Sequence, residues 1–475
     1  MQQRARIRAS RRLVALVLAG AIVVAWAIPG PVPALIARQD GVLLGRYGVG
    51  HLVALLVGTL VLGLAAVLLV GRRSLAESAL IAVLAIGSTA MGVVAIGGVV
   101  QNIVTPRYIE APVANAVGDP TLRARLVGRV MTREPEFRWD VVRDDLPAPG
   151  RSYPRRIAGR PAQQIVLTTD DRGLRNPPRG GRYDVVVSGD SFTEGSMVSD
   201  DETWWRLVSA RTGLRIYNTA VSGLSVREYL NNWAAFGLDA GADTLVVMIY
   251  EGNDWKPLAP PHVAVQAGLP IPRLHFPALR ARTERALIQL LAPIGADWPL
   301  PPDLGLDWMP PIVAGNAYAF EPKHLMRLDW DPDAFRAAPE WTTNAAVLEE
   351  LAAATHERGV RLVVAYAPVK PHVILPLIGP EVSDDALRAF AAFRDRGRPL
   401  PTGGSFRQHM LARFDVQENT LRDWCAARGI PFVSTTATLR EAVASGIPAY
   451  FTFDPHWTAE GHAVVARRLE EALGR

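Results

Sequence analysis

Cysteine is almost missing from this chain. Cys425 is the single one, which excludes an intramolecular disulfide framework and any cysteine-built zinc centre. It falls in the helical pattern Leu421 to Arg428, where a thiol reads as a small core residue. There is no Walker phosphate loop, no Rossmann glycine fingerprint and no cluster of metal-ligand residues in the sequence, so no nucleotide, metal or other cofactor is implied. Internal repeats are absent too. A basic surface for nucleic acid is also lacking, although the formal net charge is +5. Seven arginines (Arg4, Arg6, Arg8, Arg11, Arg12, Arg72 and Arg73) flank apolar runs, and without them the balance becomes −2. Cations placed in this way predict membrane orientation and not nucleic-acid binding.

Long apolar runs are what the N-terminal part does have. A basic tail, residues 1–12, precedes a run from Leu13 to Ile28 that stops at Pro29-Gly30-Pro31. Two longer runs follow, Val49 to Val70 and Ala79 to Val104. A spanning helix needs about 20 mainly apolar residues. The first run is short enough for a secretory signal, but no A-x-A site stands in good position, and residues 13–104 read as three transmembrane helices. The arginines put the tail and the Gly71-Arg72-Arg73 turn in the cytoplasm, which sends everything after Thr105 to the extracytoplasmic side of the cell membrane. Gly87, Gly92, Gly97 and Gly98 suit the third span to close packing, within the chain or against a membrane-protein partner.

Residues 105–180 are rich in Arg and Pro and read as a stalk and lead-in segment, with Ile165-Val166-Leu167 as an added edge strand and Asp171-Arg172-Gly173-Leu174-Arg175 as a turn. From 181 to 475 strands and helices alternate. Apolar runs predict strands at 183–188, 215–219, 243–250, 361–367 and 430–434, and helical patterns lie near 201–212, 225–238, 342–358, 411–428 and 458–473. Such alternation implies an α/β domain with a mostly parallel sheet covered on both faces. Two insertions interrupt it, at about 256–340 and 369–410. The first carries Trp298, Trp308, Trp330 and an amphipathic stretch from Leu279 to Leu291; the tryptophans suit stacking on sugar rings, lining an acyl pocket, or packing the insertion onto the domain.

Three short motifs follow strands, and a fourth lies in the final loop, ahead of the last helix. The first strand leads into Gly189-Asp190-Ser191-Phe192-Thr193-Glu194-Gly195, a glycine-flanked turn before a helix, where a serine can be an exposed nucleophile with backbone N–H groups beside it. The second leads to Asn218-Thr219-Ala220-Val221-Ser222-Gly223, whose last N–H can meet an oxyanion. The third ends in Glu251-Gly252-Asn253-Asp254, with the Asn253 amide as a second donor. Near the C-terminus comes Asp454-Pro455-His456-Trp457, where His456 can take a serine proton and Asp454 can hold its tautomer. Each motif alone also fits a structural turn or cap. Lys370 and His372, after the fourth strand, are candidates for substrate contact, whereas His462 on the last helix reads as packed or solvated.

Together, Ser191, Gly223, Asn253 and His456 resemble the four blocks of the SGNH (GDSL-type) hydrolase superfamily, in the same order, over roughly residues 183–475. The resemblance implies a three-layer α/β/α, flavodoxin-like domain behind the transmembrane helices. It also implies a catalytic set of Ser191, Asp454 and His456, an oxyanion hole of Ser191, Gly223 and Asn253, and no cofactor. The Asp-x-His-Trp spacing and the Asp171–Arg175 turn are similar to the alginate-acetylation (AlgX/AlgJ-like) branch, in which, however, the aspartate and histidine precede the serine. The expected activity is that of a serine esterase or O-acyltransferase on acyl, chiefly acetyl, esters of extracytoplasmic glycans. A lipase or lysophospholipase acting on a lipid substrate and a non-catalytic glycan-binding assembly subunit are the alternatives.

Overall fold

The computed structural model describes residues 14–20, 59, 62–63, 108–143, 145, 159–161, 163–256, 311–392, 400–401 and 403–474. The chain divides into two units. One takes Met1–Thr105, Pro147–Arg155 and Leu269–Leu304; the other takes Pro106–Leu146, Arg156–Gly268 and Gly305–Arg475. Of the first unit, residues 14–20 are helical, and positions 59, 62 and 63 are also described as helical. The rest of the three apolar runs, the 279–291 stretch, Trp298 and Trp308 lie outside the described residues. Among the described residues no helix is long and apolar enough to cross a membrane. The second unit carries all four motifs.

Nine strands matter for the site: β1 (Tyr108–Pro112), β2 (Arg129–Arg133), β3 (Arg138–Arg143), β4 (Gln163–Thr168), β5 (Val185–Ser188), β6 (Ile216–Asn218), β7 (Thr244–Tyr250), β8 (Arg361–Ala367) and β9 (Phe432–Ser434). The last five form one wholly parallel sheet in the order β6-β5-β7-β8-β9. Numbered within the sheet this is 2-1-3-4-5, the doubly wound order whose switch point lies between the first and third strands. Strands buried on both faces read as unbroken apolar runs, and β5 (Val-Val-Val-Ser) and β7 (Thr-Leu-Val-Val-Met-Ile-Tyr) are such runs. Alternate residues Val186, Leu245, Val247, Ile249, Leu362, Val364 and Tyr366 face one core, shared with Leu230, Trp233, Leu348, Leu351 and Leu421. The intervening Val185, Val187, Val246, Met248, Val363 and Ala365 point the other way and are buried as well, which requires a second covering layer.

The helices that matter for the site are α1 (Ser191–Glu194), α2 (Trp204–Thr212), α3 (Val226–Asn232), α4 (Pro339–His356), α5 (Lys370–Ile374), α6 (Val416–Ala426), α7 (Thr436–Ala444) and α8 (Ala459–Leu473). Helix α3 opens with a reciprocal Ser225/Glu228 capping box and continues as a π turn over Trp233–Gly237. Helix α8 is capped by Thr458, whose hydroxyl accepts from Gly461 N at 3.1 Å. It buries Gly461, His462, Val465, Ala466, Leu469 and Leu473, a stripe at helical spacing. Two boundaries differ from the sequence expectation. The 411–428 pattern breaks at Ala412–Asp415 into Phe406–Leu411 and α6, and α7 follows the last strand where the pattern predicts no helix.

The stretch expected as a stalk packs into this unit. Val113, Val117, Leu122, Leu126, Val130 and Met131 join the same core as Leu230 and Trp233. Ile165-Val166-Leu167 is not an added edge of the central sheet: it lies in β4, which pairs antiparallel with β3, while β1 pairs with β2. Asn232 ties β2 to the domain. Its Oδ1 accepts from Met131 N at 3.0 Å, and its Nδ2 donates to Met131 O at 2.8 Å and to Thr219 O at 3.0 Å. A buried polar group left without its partner costs about 1–3 kcal/mol. Asn232→Ala therefore lowers stability by about 3 kcal/mol or more in urea unfolding followed by tryptophan fluorescence; a loss well below 1 kcal/mol would show that the lead-in strands are not held through this side chain.

Candidate active site

The end of β5 sets the first element. Gly189 leaves no room for a side chain, because a Cβ there would lie 2.3 Å from Thr193 Oγ1. Asp190 then caps α1, its Oδ1 accepting from Phe192 N at 2.9 Å, which makes Ser191 the first residue of that helix. Glu194 closes the helix with its side chain fully buried. Arg133 from β2 donates to it from Nε at 2.5 Å and Nη2 at 2.8 Å. The same carboxylate accepts from Ser222 N at 3.0 Å and from the Ser222 hydroxyl. Burial alone would raise the Glu194 pKa, but the Arg133 charge outweighs it and the pKa falls. Arg175, equally buried, donates to the carbonyls of Glu194 at 2.9 Å, Gly195 at 2.5 Å and Val198 at 2.7 Å. Two arginines from the lead-in segment thus brace the nucleophile turn.

Ser222 carries the next residue with it. Gly223 is exposed, with φ +84° and no atom within 4 Å of where a Cβ would stand. Left-handed backbone here favours glycine. Among the described residues its N–H makes no hydrogen bond. Asn253, in the turn after β7, places its amide beside Asp190. Asp254 behind it takes the Tyr229 hydroxyl at 2.7 and 2.8 Å and Tyr250 N at 2.7 Å. Burial and the neighbouring Asp190 charge raise the Asp254 pKa well above the ordinary value.

The last element arrives from 265 positions away in the chain. His456 Nε2 lies 2.7 Å from Ser191 Oγ, and His456 Nδ1 lies 2.6 Å from Asp454 Oδ1. The same Oδ1 accepts from His456 N at 2.9 Å, so the carboxylate closes a small ring with its own backbone. Burial lowers the His456 pKa, but the Asp454 charge and hydrogen bond raise it further, leaving it above the ordinary histidine value. Burial acts to raise Asp454, and His456 overcomes this and holds the carboxyl at about 2. Phe192 packs 4.8 Å from the imidazole, with Trp457 edge-on behind it at 4.8 Å.

The Phe451–Asp454 backbone is gripped from both sides. Buried Asp145 accepts from Thr452 N at 2.7 Å, Phe453 N at 2.8 Å and Asp454 N at 3.1 Å. Buried Lys370 donates to Phe451 O at 2.8 Å, Thr452 O at 3.1 Å and Asp454 O at 2.7 Å, and also to Ala319 O at 2.8 Å. Lys370 is therefore a positioning residue and not the substrate contact expected from the sequence. His372 is displaced from that expectation too. Its Nδ1 meets both Glu251 oxygens at 3.0 and 2.9 Å and its Nε2 meets Asp415 at 2.8 Å. Burial opposes its charge, yet the Glu251 carboxylate lifts its pKa to about 9. Asp415 and Glu418 complete with His372 a group close enough to hold a cation. Both imidazole nitrogens are already given to carboxylates, and Glu418 takes Thr436 and Arg422, so a cation would have to break existing bonds. His462 is packed: it accepts from Trp204 N at 3.2 Å, and burial drives its pKa to about 3.

Sequence reasoning missed Arg133, Glu194, Asp145 and the role of Lys370. A lysine inside the apolar run Ala365 to Leu377 and a glutamate inside the nucleophile turn were signals of buried charge.

No protein-family model matches the chain, and no curated protein matches it in sequence. Solved structures do show similarity. A lipolytic protein of the G-D-S-L family from Veillonella parvula DSM 2008 aligns at 12% identity over 62% of this chain and 98% of its own, with a TM-score of 0.29. A catalytic mutant of an acetylxylan esterase from Geobacillus stearothermophilus aligns at 13% identity over 62% and 96%, with a TM-score of 0.30. A GDSL-like lipase from Bacteroides thetaiotaomicron aligns at 11% over 62% and 88%, with a TM-score of 0.29. Scores of this size carry no argument about family or function.

The pKa of His456 gives a direct test of the relay. Neutral His456 is the form that accepts the serine proton, so kcat/KM rises with pH through its pKa. Asp454→Asn removes the charge that raises this pKa. The ascending limb therefore moves to lower pH while the plateau drops on the order of 10⁴-fold; an unchanged limb and plateau would remove Asp454 from the site. The parallel 2-1-3-4-5 sheet, the three motifs that follow its first three strands and the contact between Ser191 and His456 are the arrangement that the resemblance to the SGNH (GDSL-type) hydrolases implies.

Proposed function

We propose that the protein is a membrane-anchored serine esterase or O-acyltransferase whose substrates are acyl, chiefly acetyl, esters of extracytoplasmic glycans. The observation that carries the chemical part is the 2.7 Å contact between Ser191 Oγ and His456 Nε2, with Asp454 on the other imidazole nitrogen. Ser191 Oγ attacks the acyl carbonyl as its proton passes to His456 Nε2. Negative charge develops on the carbonyl oxygen and is met by the N–H groups of Ser191 and Gly223 and by the Asn253 amide. The tetrahedral adduct collapses when His456 returns the proton to the leaving alkoxide, and an acyl-serine remains. Water, or a sugar hydroxyl, then gives its proton to His456 as it attacks the acyl carbon, and His456 passes that proton to the leaving Ser191 Oγ, which restores both residues. Membrane anchoring is supported by the apolar runs and their arginine asymmetry, and the extracytoplasmic side follows from the same asymmetry.

Acetylated oligosaccharides and long-chain esters offered to the purified full chain separate the readings. Acetyl release or transfer at a rate lost in Ser191→Ala supports the proposal, and Asn253→Ala lowers kcat by about 10²–10³ with little change in stability. Preference for long acyl chains would make the protein a lipase, and the absence of any serine-dependent turnover would leave a binding subunit. A reporter fused after Arg475 is active outside the cytoplasm; activity inside would overturn the topology.

A further inference from the structure

Beside Asn253 the structure holds a cavity of about 310 Å³, walled by Trp255, Lys256, Arg327, Trp330 and Gln417. Gln417 Nε2 donates to Arg327 O at 2.7 Å and so fixes the backbone of that residue. The guanidinium itself has no hydrogen bond or ion pair among the described residues, unlike Arg129, Arg133, Arg175 and Arg227, each of which meets a carboxylate. Its charge is felt by Tyr250, whose ring stacks at 3.9 Å on Phe192, the neighbour of Ser191. Arg327 therefore lies within electrostatic reach of the aromatic pair beside Ser191. The charge of Lys256 acts on Asp254 in the same turn.

Two carboxylates also line this space. Glu251 is spoken for by His372, which is held in its charged form, and by Val369 N at 2.9 Å. That leaves Glu340 against two cations. Trp330 and Trp255 form the apolar side, both set against Phe335 with ring centroids 5.3 and 6.0 Å away.

We propose that this cavity is a subsite for an anionic group of the substrate, a carboxylate or phosphate on the sugar that bears or adjoins the acyl ester. The inference rests on reading Ser191 as the acyl-transferring nucleophile and narrows the substrate to an acidic glycan. A guanidinium without a partner presents two parallel N–H donors to a carboxylate or phosphate. The indole wall offers the ring an apolar face, and the nearby Asn253 places the bound sugar next to the oxyanion donors.

Binding is read apart from turnover in the full-length Ser191→Ala chain. Tryptophan fluorescence follows titration with oligogalacturonate, a phosphorylated maltooligosaccharide and the neutral maltooligosaccharide. At least one anionic probe binds about tenfold more tightly than the neutral one at low salt. The preference shrinks as salt rises, is lost in Arg327→Ala and is partly kept in Arg327→Lys. A preference for the carboxylate probe alone, or for the phosphate probe alone, supports the subsite and names its anion. Equal binding of all three, binding of none, or an anion preference that survives Arg327→Ala overturns it. Arg327→Lys and the unfolding midpoint of each variant separate loss of the charge from loss of the fold. Anion binding in a protein that turns over no ester would contradict the proposed activity while leaving the subsite standing.

Discussion

The site depends on one buried turn held from two directions. Asp145 takes three consecutive N–H groups, from Thr452 to Asp454, and Lys370 takes three carbonyls of the same stretch. Opposite charges on opposite faces of a backbone satisfy polar groups that burial would otherwise leave unpaired. The turn so fixed sets Asp454 and His456, and through them the 2.7 Å approach to Ser191. Neither clamp residue touches the reacting groups. Lys370 comes from α5, just after the fourth strand of the sheet, and Asp145 from the lead-in segment, so two distant parts of the chain must be folded before the base is in place.

A second buried charge does the same for the other half of the site. Glu194 ends the nucleophile helix, pairs with Arg133 and reaches Ser222, which couples the Ser191 turn to the Gly223 turn. Breaking a buried pair by removing one partner costs about 3–5 kcal/mol, because an uncompensated charge stays behind. The lead-in segment is thus part of the architecture of the candidate site: β2 supplies Arg133, and the turn ahead of β5 supplies Arg175. The anionic subsite obeys the opposite logic. There a cation has no partner among the described residues, at the edge of the same oxyanion turn, where a ligand charge can complete it.

The strands of the central sheet were legible because each is a short apolar run, and burial on both faces leaves little else for such a run to be. Ser191, Gly223 and Asn253 were legible as candidates because each sits in a small polar motif after a strand, the edge where open parallel sheets place their sites, and Asp454 and His456 because Asp-Pro-His-Trp stands in the loop ahead of the last helix. Strand order was not, since periodicity carries no pairing information. The lead-in segment resembles a stalk in sequence because its core residues, Val113 to Met131, are spread over short elements without one long apolar stripe, and the rest of its attachment runs through side chain–backbone bonds of Asn232 and Arg175. The Asp145 clamp joins residues more than 300 positions apart, and Lys370 has the sequence context of a loop cation although it binds four carbonyls.

The central claim is that Ser191 is a nucleophile activated by His456. Its most direct test is the pH dependence of labelling by a fluorophosphonate, with the modified peptide mapped by mass spectrometry. One adduct per chain is expected, on Ser191, formed at a rate that rises with pH as His456 loses its proton and that collapses in His456→Ala. No adduct, an adduct on another residue, or a rate indifferent to His456→Ala would contradict it.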